Sequence, residues 1–427
     1  MKKLIIILLV LSSAVLIAPN FIGSVVETEH QTGVDKLNEN PAVTINSATF
    51  TRDWFSGIAS TEMTILLQDD GIEDITIIIE ENLSFGPVIF TDEGIEFALS
   101  YSKADINFKE FLIDEEIEDF IKDKIHLSAL LTFSKDISSK IVIDEVSKEV
   151  DGNSIVSAKA LGYFTLENNN RFYGDFNWAG LTAKSSDESF TIDKVEFSID
   201  QTLIAGDYYQ GNAISTGDFD FAITSVSAID ATGNKVFALE NMLLKAMSAV
   251  TDDLMTITMN YKAEKIQSIG QSLENANLDV IFEGLNINVM QEVNTLMAGL
   301  ATDEEAMFTP EVMQKLSTLA SKLLANDPVL SIKDLSVKTP EGKIESALNI
   351  RVNKDLFDTA NIMSIIPAIK ADANGKAPMP FFVNLGLAPM IDMYVQQGLI
   401  VQNEDELSFK MNFSQGQLNV NGQVIPL

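Results

Sequence analysis

Apolar positions along this chain fall into three regimes: one uncharged run at the start, short alternations through the first half, and helical spacings that appear mainly in the second half. Lys2 and Lys3 precede an uncharged run from Leu4 to Val26, the charge and hydropathy pattern of an export signal. Cleavage sites are poor, with Pro19 after Ala18 and Phe21 spoiling a cut after Gly23, so the run is expected to be retained as an anchor. At about 1.5 Å per residue it reaches roughly 30 Å if it stays helical through Pro19, enough for a single transmembrane helix. Pro19 could also end or kink it. The positive-inside rule then puts Glu27 onward outside the cytoplasm.

After a polar stretch from Glu27 to Pro41, expected as helix or linker, the pattern becomes short apolar alternation broken by Gly, Asn and Asp, which is strand punctuation. One spacing recurs: Val43, Ile45, Ala48, Phe50; Phe190, Ile192, Val195, Phe197; Phe221, Ile223, Val226, Ala228; and Leu330, Ile332, Leu335, Val337. Each set is apolar at i, i+2, i+5 and i+7. A regular strand would turn the second pair to the opposite face, so keeping all four together predicts one extra residue between the pairs, a β-bulge that bends the strand. Chance matches are expected in any apolar β protein, so the repeat is suggestive only. Gly233 and Gly342 stand at the same offset after the last two copies, where a turn is expected.

Helical spacing is clearest where Thr309, Pro310 and Glu311 supply an N-cap, a first-turn proline and an N-terminal acid ahead of Val312, Met313, Leu316, Leu319, Ala320, Leu323 and Leu324. Similar spacing predicts helices over Val236–Met247, over Val289–Leu300, and from Pro389 toward Gly398. The end of the chain reads as a hairpin, with Leu407, Phe409, Met411 and Phe413 alternating before a Ser414-Gln415-Gly416 turn and Leu418 and Val420. The expected class is α+β and β-dominated: long, bent antiparallel sheets with amphipathic helices packed on them, mainly in the C-terminal half, plus the N-terminal transmembrane helix. The expected division is an anchor over 1–26, a β-rich part over 27–240 and a mixed part over 241–427.

Composition narrows the chemistry. With 46% hydrophobic residues the chain can bury a core. Lys and Arg total 29 against 62 Asp and Glu, a formal net charge of -33, which repels phosphate backbones and argues against nucleic acid. There is no cysteine, so disulfides, thiolate metal sites and cysteine nucleophiles are excluded. The two histidines, His30 and His126, have no neighbouring ligands in sequence, and His126 reads as an ordinary strand or surface residue. The acidic runs Asp69–Asp74 and Asp114–Asp119 lack the alternation and closing glutamate of an EF-hand and read as solvated segments. No nucleophile elbow, phosphate loop or dinucleotide fingerprint occurs. The stretch Arg171–Trp178 reads as a strand with alternate faces buried. No catalytic, cofactor-binding or metal residue is therefore assigned, and no cofactor is expected.

The chain resembles the YdgA-like family of Gram-negative envelope proteins along nearly its whole length. The resemblance rests on Pro19, Gly23 and Glu27, on Arg52-Asp53-Trp54-Phe55-Ser56, on Ser84-Phe85-Gly86-Pro87, on Asp327-Pro328 leading into Thr339-Pro340-Glu341-Gly342, and on the ending Asn421-Gly422-Gln423-Val424-Ile425-Pro426-Leu427. Asp53 stands where Gly is expected and Phe85 where His is expected. The resemblance implies an inner-membrane anchor and a periplasmic body, and supplies no catalytic residue. Trp54 and Phe55 are expected to pack a bent strand, and Gly86-Pro87 to mark a turn or strand end. Bent strands with one apolar face faintly resemble those of AsmA-like lipid-handling proteins. The expected role is a non-enzymatic module binding lipid or another hydrophobic ligand. The alternative is a self-associating structural or interaction protein, and a hydrolase built from distant carboxylates ranks last. Expected partners are the inner membrane, acyl chains and a second copy of the chain.

Overall fold

The computed structural model describes residues 2–67, 74–109, 123–150, 152–268, 270–300, 309–358 and 364–425. Strands run in order β1 (Val43–Arg52), β2 (Ser56–Ile65), β3 (Ile75–Phe85), β4 (Ile89–Thr91), β5 (Gly94–Glu96), β6 (Ser100–Lys109), β7 (Ile125–Leu131), β8 (Ile137–Ile143), β9 (Val146–Val150), β10 (Asn153–Ser157), β11 (Ala160–Glu167) and β12 (Arg171–Lys184). They continue through β13 (Ser189–Ala205), β14 (Ile214–Ile229), β15 (Lys235–Thr251), β16 (Leu254–Ser268), β17 (Gln271–Asn286), β18 (Val329–Thr339), β19 (Gly342–Val352), β20 (Ile369–Pro378), β21 (Val401–Asn403), β22 (Glu406–Ser414), β23 (Gln417–Val420) and β24 (Gln423–Ile425). The helices are α1 (Lys2–Leu37), α2 (Ile287–Leu300), α3 (Pro310–Leu324), α4 (Ile365–Ala368), α5 (Met379–Asn384) and α6 (Ala388–Gln396).

All strands except the β4–β5 hairpin join one antiparallel sheet of 22 strands. Most strands pair with their neighbours in sequence; the exception that matters is β8, which pairs with β11 while β9 and β10 form a side ladder on β12. Following hydrogen bonds from β1 to β24 takes about 18 steps of roughly 4.8 Å, a path on the order of 85 Å. The sheet is mostly a single layer. The accessible surface of the chain is 24544 Å², whereas a compact monomer of 46.8 kDa would expose about 16,000 Å².

Two expectations are corrected. No helix among the described residues is long and apolar enough to cross a membrane, so the transmembrane helix drops out of the fold class. α1 passes through Pro19 and continues to Leu37, and the end of the uncharged run belongs to the protein core: Val26 is buried with Ala59, Leu83 and Phe85, and Ile22 packs beside them. Gly23 lies so close beneath Phe85 that a Cβ there would meet the ring at 2.7 Å. The run before Leu16 is about a dozen residues, which is roughly 18 Å of helix and short of a hydrocarbon core. The second correction is Val236–Met247, which lies in β15 and not in a helix.

The reason for that second error is the bulge spacing itself. Phe237, Leu239, Met242 and Leu244 repeat the i, i+2, i+5, i+7 pattern, and its three-residue gap imitates a helical period. The structure shows what fills such gaps. Register shifts fall between Ile45 and Ser47 and between Ile332 and Leu335. In β13, β14 and β15 the ladder instead skips Lys194, Thr224 and Asn241 while the register on either side is kept. Facing strands carry the interruption at the same level, so neither slips against the other. Asp193 and Lys194 are consecutive and both exposed, which regular alternation would not allow. Gly180, Lys194, Asn241 and Asn275 all have positive φ along this line, which forms a crease across neighbouring strands.

Candidate functional site

The crease and the alternation produce an apolar face of great length. Directly paired residues share a face, so one row can be followed by pairing alone. From β11 to β23 it reads Phe164, Gly174, Ile199, Phe219, Ala246, Met259, Val280, Ile332, Leu348, Ala373, Met411 and Val420. No member is polar. One residue along each strand, the row on the other face reads Asp175, Ser198, Asp220, Lys245, Asn260, Asp279 and Asp334.

The polar face is laced together. Lys245 donates to Asp220 at 3.4 Å, Asn260 to Asp279, Asn277 to Asp334 at 2.9 Å, Asn349 to Ser331 at 2.6 Å and Asn412 to Asp372 at 2.8 Å. Arg171 binds Asp200 through two hydrogen bonds of 2.8 and 2.7 Å, and that pairing holds the Asp200 carboxyl below the usual carboxylate range. The acidic composition is thus largely a solvated face.

The apolar face is covered only at its margins by the described helices. α1 lies on β1, β2, β3 and β6. α2 crosses the ends of β13, β14 and β17, where Ile287 packs with Ile214 and Met255; a cavity of about 280 Å³ opens beside it, lined by Ile214, Gly217, Ala246, Met255, Ile257 and Met290 among others. α4 closes the far margin through Ala368, Val352 and Phe357. In between, aromatic rings pack on one another: Phe164 stacks with Phe172 at 5.7 Å and Phe176 with Phe197 at 5.2 Å, and Phe197 meets Phe219 tilted at 6.3 Å. Gly174 is what lets Phe164 lie flat there, since a Cβ would come within 2.5 Å of its ring. These rings are only partly buried.

A second concavity, about 690 Å³, lies on the polar face under the β4–β5 hairpin. The hairpin is strapped down by Asp92 to Lys103 at 2.6 Å and by Glu93 to Lys140 at 2.8 Å. Beside it His126 on β7 sits between Asp105 at 2.8 Å and Asp144 at 3.2 Å; the hydrogen bond to Asp105 is the main cause that raises its pKa, opposed by desolvation and helped by the hydrogen bond to Asp144. The carboxylates Asp92, Glu93 and Asp105 are each engaged by a cation or imidazole, so the cleft presents no unpartnered acid among them.

The remaining sequence candidates disperse. His30 lies on α1, its ring tilted against Phe50 at 5.2 Å and 3.6 Å from Glu81. No group of metal-ligating side chains occurs among the described residues. The runs Asp69–Asp74 and Asp114–Asp119 fall outside the described residues apart from Asp74, which accepts from the Leu67 amide. In Arg171–Trp178, Phe172, Phe176 and Trp178 take the apolar face, and Trp178 donates to the Ala158 carbonyl at 3.1 Å. Trp54 and Phe55 sit half-exposed in the β1–β2 turn. Phe85, in contrast, is 4% exposed and lies over both Gly23 and Gly57, a role that the Ser84–Pro87 motif by itself does not reveal.

Sheet and face together define a class: a single-layered, amphipathic antiparallel sheet with helices along its margins. Over residues 1–427 the chain matches the family described as bacterial protein of unknown function (DUF945), and it belongs to that family. No curated protein and no solved structure matches it.

Proposed function

We propose that the apolar face binds the acyl chains of lipids or comparably extended hydrophobic molecules, and that the protein does so without catalysing a reaction. The observation that carries this reading is the unbroken apolar row from Phe164 to Val420, whose middle is not covered by any of the described helices. Burying apolar surface is worth about 25 cal/mol per Å², so a long face left partly exposed favours occupation by something apolar and linear. The lysine-flanked opening run and the lack of cysteine support a setting outside the cytoplasm, and the YdgA-like resemblance supports the bacterial envelope.

The test is lipid analysis of the purified full chain together with competition for a fluorescent apolar probe. Co-purifying lipid, displaced by the probe and lost in Phe197→Asp or Phe219→Asp, is expected. A lipid-free protein whose wild type and variants bind the probe alike would overturn the reading.

A second reading, self-association, is favoured by one feature. β1 pairs only with β2 among the described strands, which leaves its outer edge without a strand partner. Crosslinking across that edge in concentrated protein is its test.

A further inference from the structure

We propose that the end of the sheet beside α1 is a docking surface for the headgroup region of a zwitterionic lipid bilayer, touching the bilayer and not crossing it. The chain turns back at this end at residues 53–55, 86–99 and 132–136, as the pairings Arg52 with Gly57, Phe85 with Ser100 and Ser100 with Leu131 require. The exposed aromatic residues concentrate there: Trp54 and Phe55 in the first turn, Phe90 and Phe97 on and after the β4–β5 hairpin, and Phe133 in the third turn. Phe90 is 78% exposed and Phe97 71%. On α1, Phe21 joins them at 68%.

Three features favour a bilayer over a protein partner. The aromatic side chains come from separate turns around one end of the sheet, a dispersed presentation that suits a broad, flat surface. Trp54 already donates its indole N–H to the Leu16 carbonyl at 2.7 Å, so its exposed side offers ring carbon alone, the kind of surface that settles at a membrane interface. The same helix continues toward the apolar sequence Leu4–Val15, so the aromatic turns surround its approach to the body.

Charge selects the lipid. Cations at this end are already neutralised within the protein: Arg52 by Glu27 at 3.0 Å, Lys135 by Glu29 at 2.7 Å and Lys103 by Asp92 at 2.6 Å. With a net charge of -33 behind them, anionic vesicles are repelled and neutral headgroups are accepted.

This surface is separate from the acyl-binding face, and the test keeps them apart. The chain has two tryptophans, so Trp178→Phe leaves Trp54 as the sole reporter. The full-length variant is diluted from detergent into phosphatidylcholine vesicles brominated near the headgroup. The expected result is a blue shift and quenching of Trp54, with at least about a tenfold weaker response in Phe90→Ser/Phe97→Ser and in Phe97→Glu, whose exposed positions leave the urea midpoint unchanged. A weaker response to phosphatidylglycerol vesicles at low salt is also expected. Vesicle flotation without Trp54 quenching would place the contact elsewhere on the chain and overturn the proposal. A Trp54 shift that follows protein concentration in the absence of vesicles would assign the surface to a second copy and overturn it equally.

Discussion

Beneath α1 and across the middle of the sheet, the same apolar face meets two different fates. Under the helix, Val26, Ala59, Leu83 and Phe85 are all at most 6% exposed, and hydrogen bonds from Arg52 to Asn20 and from Trp54 to Leu16 fix the helix in place. In the middle, Phe164, Phe176, Phe197 and Phe219 pack on one another and stay only partly buried. The sequence pattern is alike in both, since Val43–Phe50 and Phe190–Phe197 share one spacing. What differs is the covering element, so the covered region reads as structure and the uncovered one as surface available to a ligand.

The sharpest way to separate the two is to truncate a ring in each. Phe85→Ala, in the covered region, is expected to cost about 3–5 kcal/mol in urea unfolding, the usual range for a buried phenylalanine. Gly23→Leu attacks the same junction from the helix side. The added side chain cannot share space with the Phe85 ring, so a loss of about 1–3 kcal/mol is expected, with a change in Trp54 emission as Leu16 shifts. Phe197→Ala, in the uncovered region, should cost about 1 kcal/mol, since the ring is already partly in water, yet reduce apolar-probe affinity about tenfold. Equal stability losses for Phe85→Ala and Phe197→Ala would erase the distinction.

The smallest effect concerns His126, on the opposite face. Its folded pKa is raised by Asp105 and Asp144, so its stabilisation is fully present below the unfolded value near 6.5 and fades as pH rises through the folded pKa. Its side chain is 41% exposed, and solvent screening keeps the contribution below about 1 kcal/mol. His126→Gln should flatten the urea midpoint between slightly acidic and slightly alkaline pH without touching probe binding.

Much of the strand pattern was legible because bulged strands leave a spacing that ordinary alternation cannot produce. Ile45/Ser47 and Ile332/Leu335 are register shifts where the spacing asks for them. The same spacing misled at Val236–Met247, where Asn241 interrupts the strand and a three-residue gap looks helical. Hydropathy likewise could not tell that Ile22–Val26 serves the protein interior, because a residue against Phe85 and a residue against lipid are equally apolar. The alternation of Phe172, Phe176 and Trp178 was readable, but the joining of such faces across β11–β23 depends on pairing order, including the step from β8 to β11, that one strand at a time does not encode. The exposed ring of turns holding Trp54, Phe90 and Phe133 was invisible for the same reason: those residues are far apart in the chain and meet only because successive hairpins return to one end.

The crease carries a consequence for growth. From β12 to β17 the strands cross it at one level, and strands along the sheet touch chiefly their two neighbours, so an inserted or deleted hairpin there would change how far the sheet extends while leaving its cross-section as it was. Span is then the property that duplication or loss of a strand pair adjusts most readily.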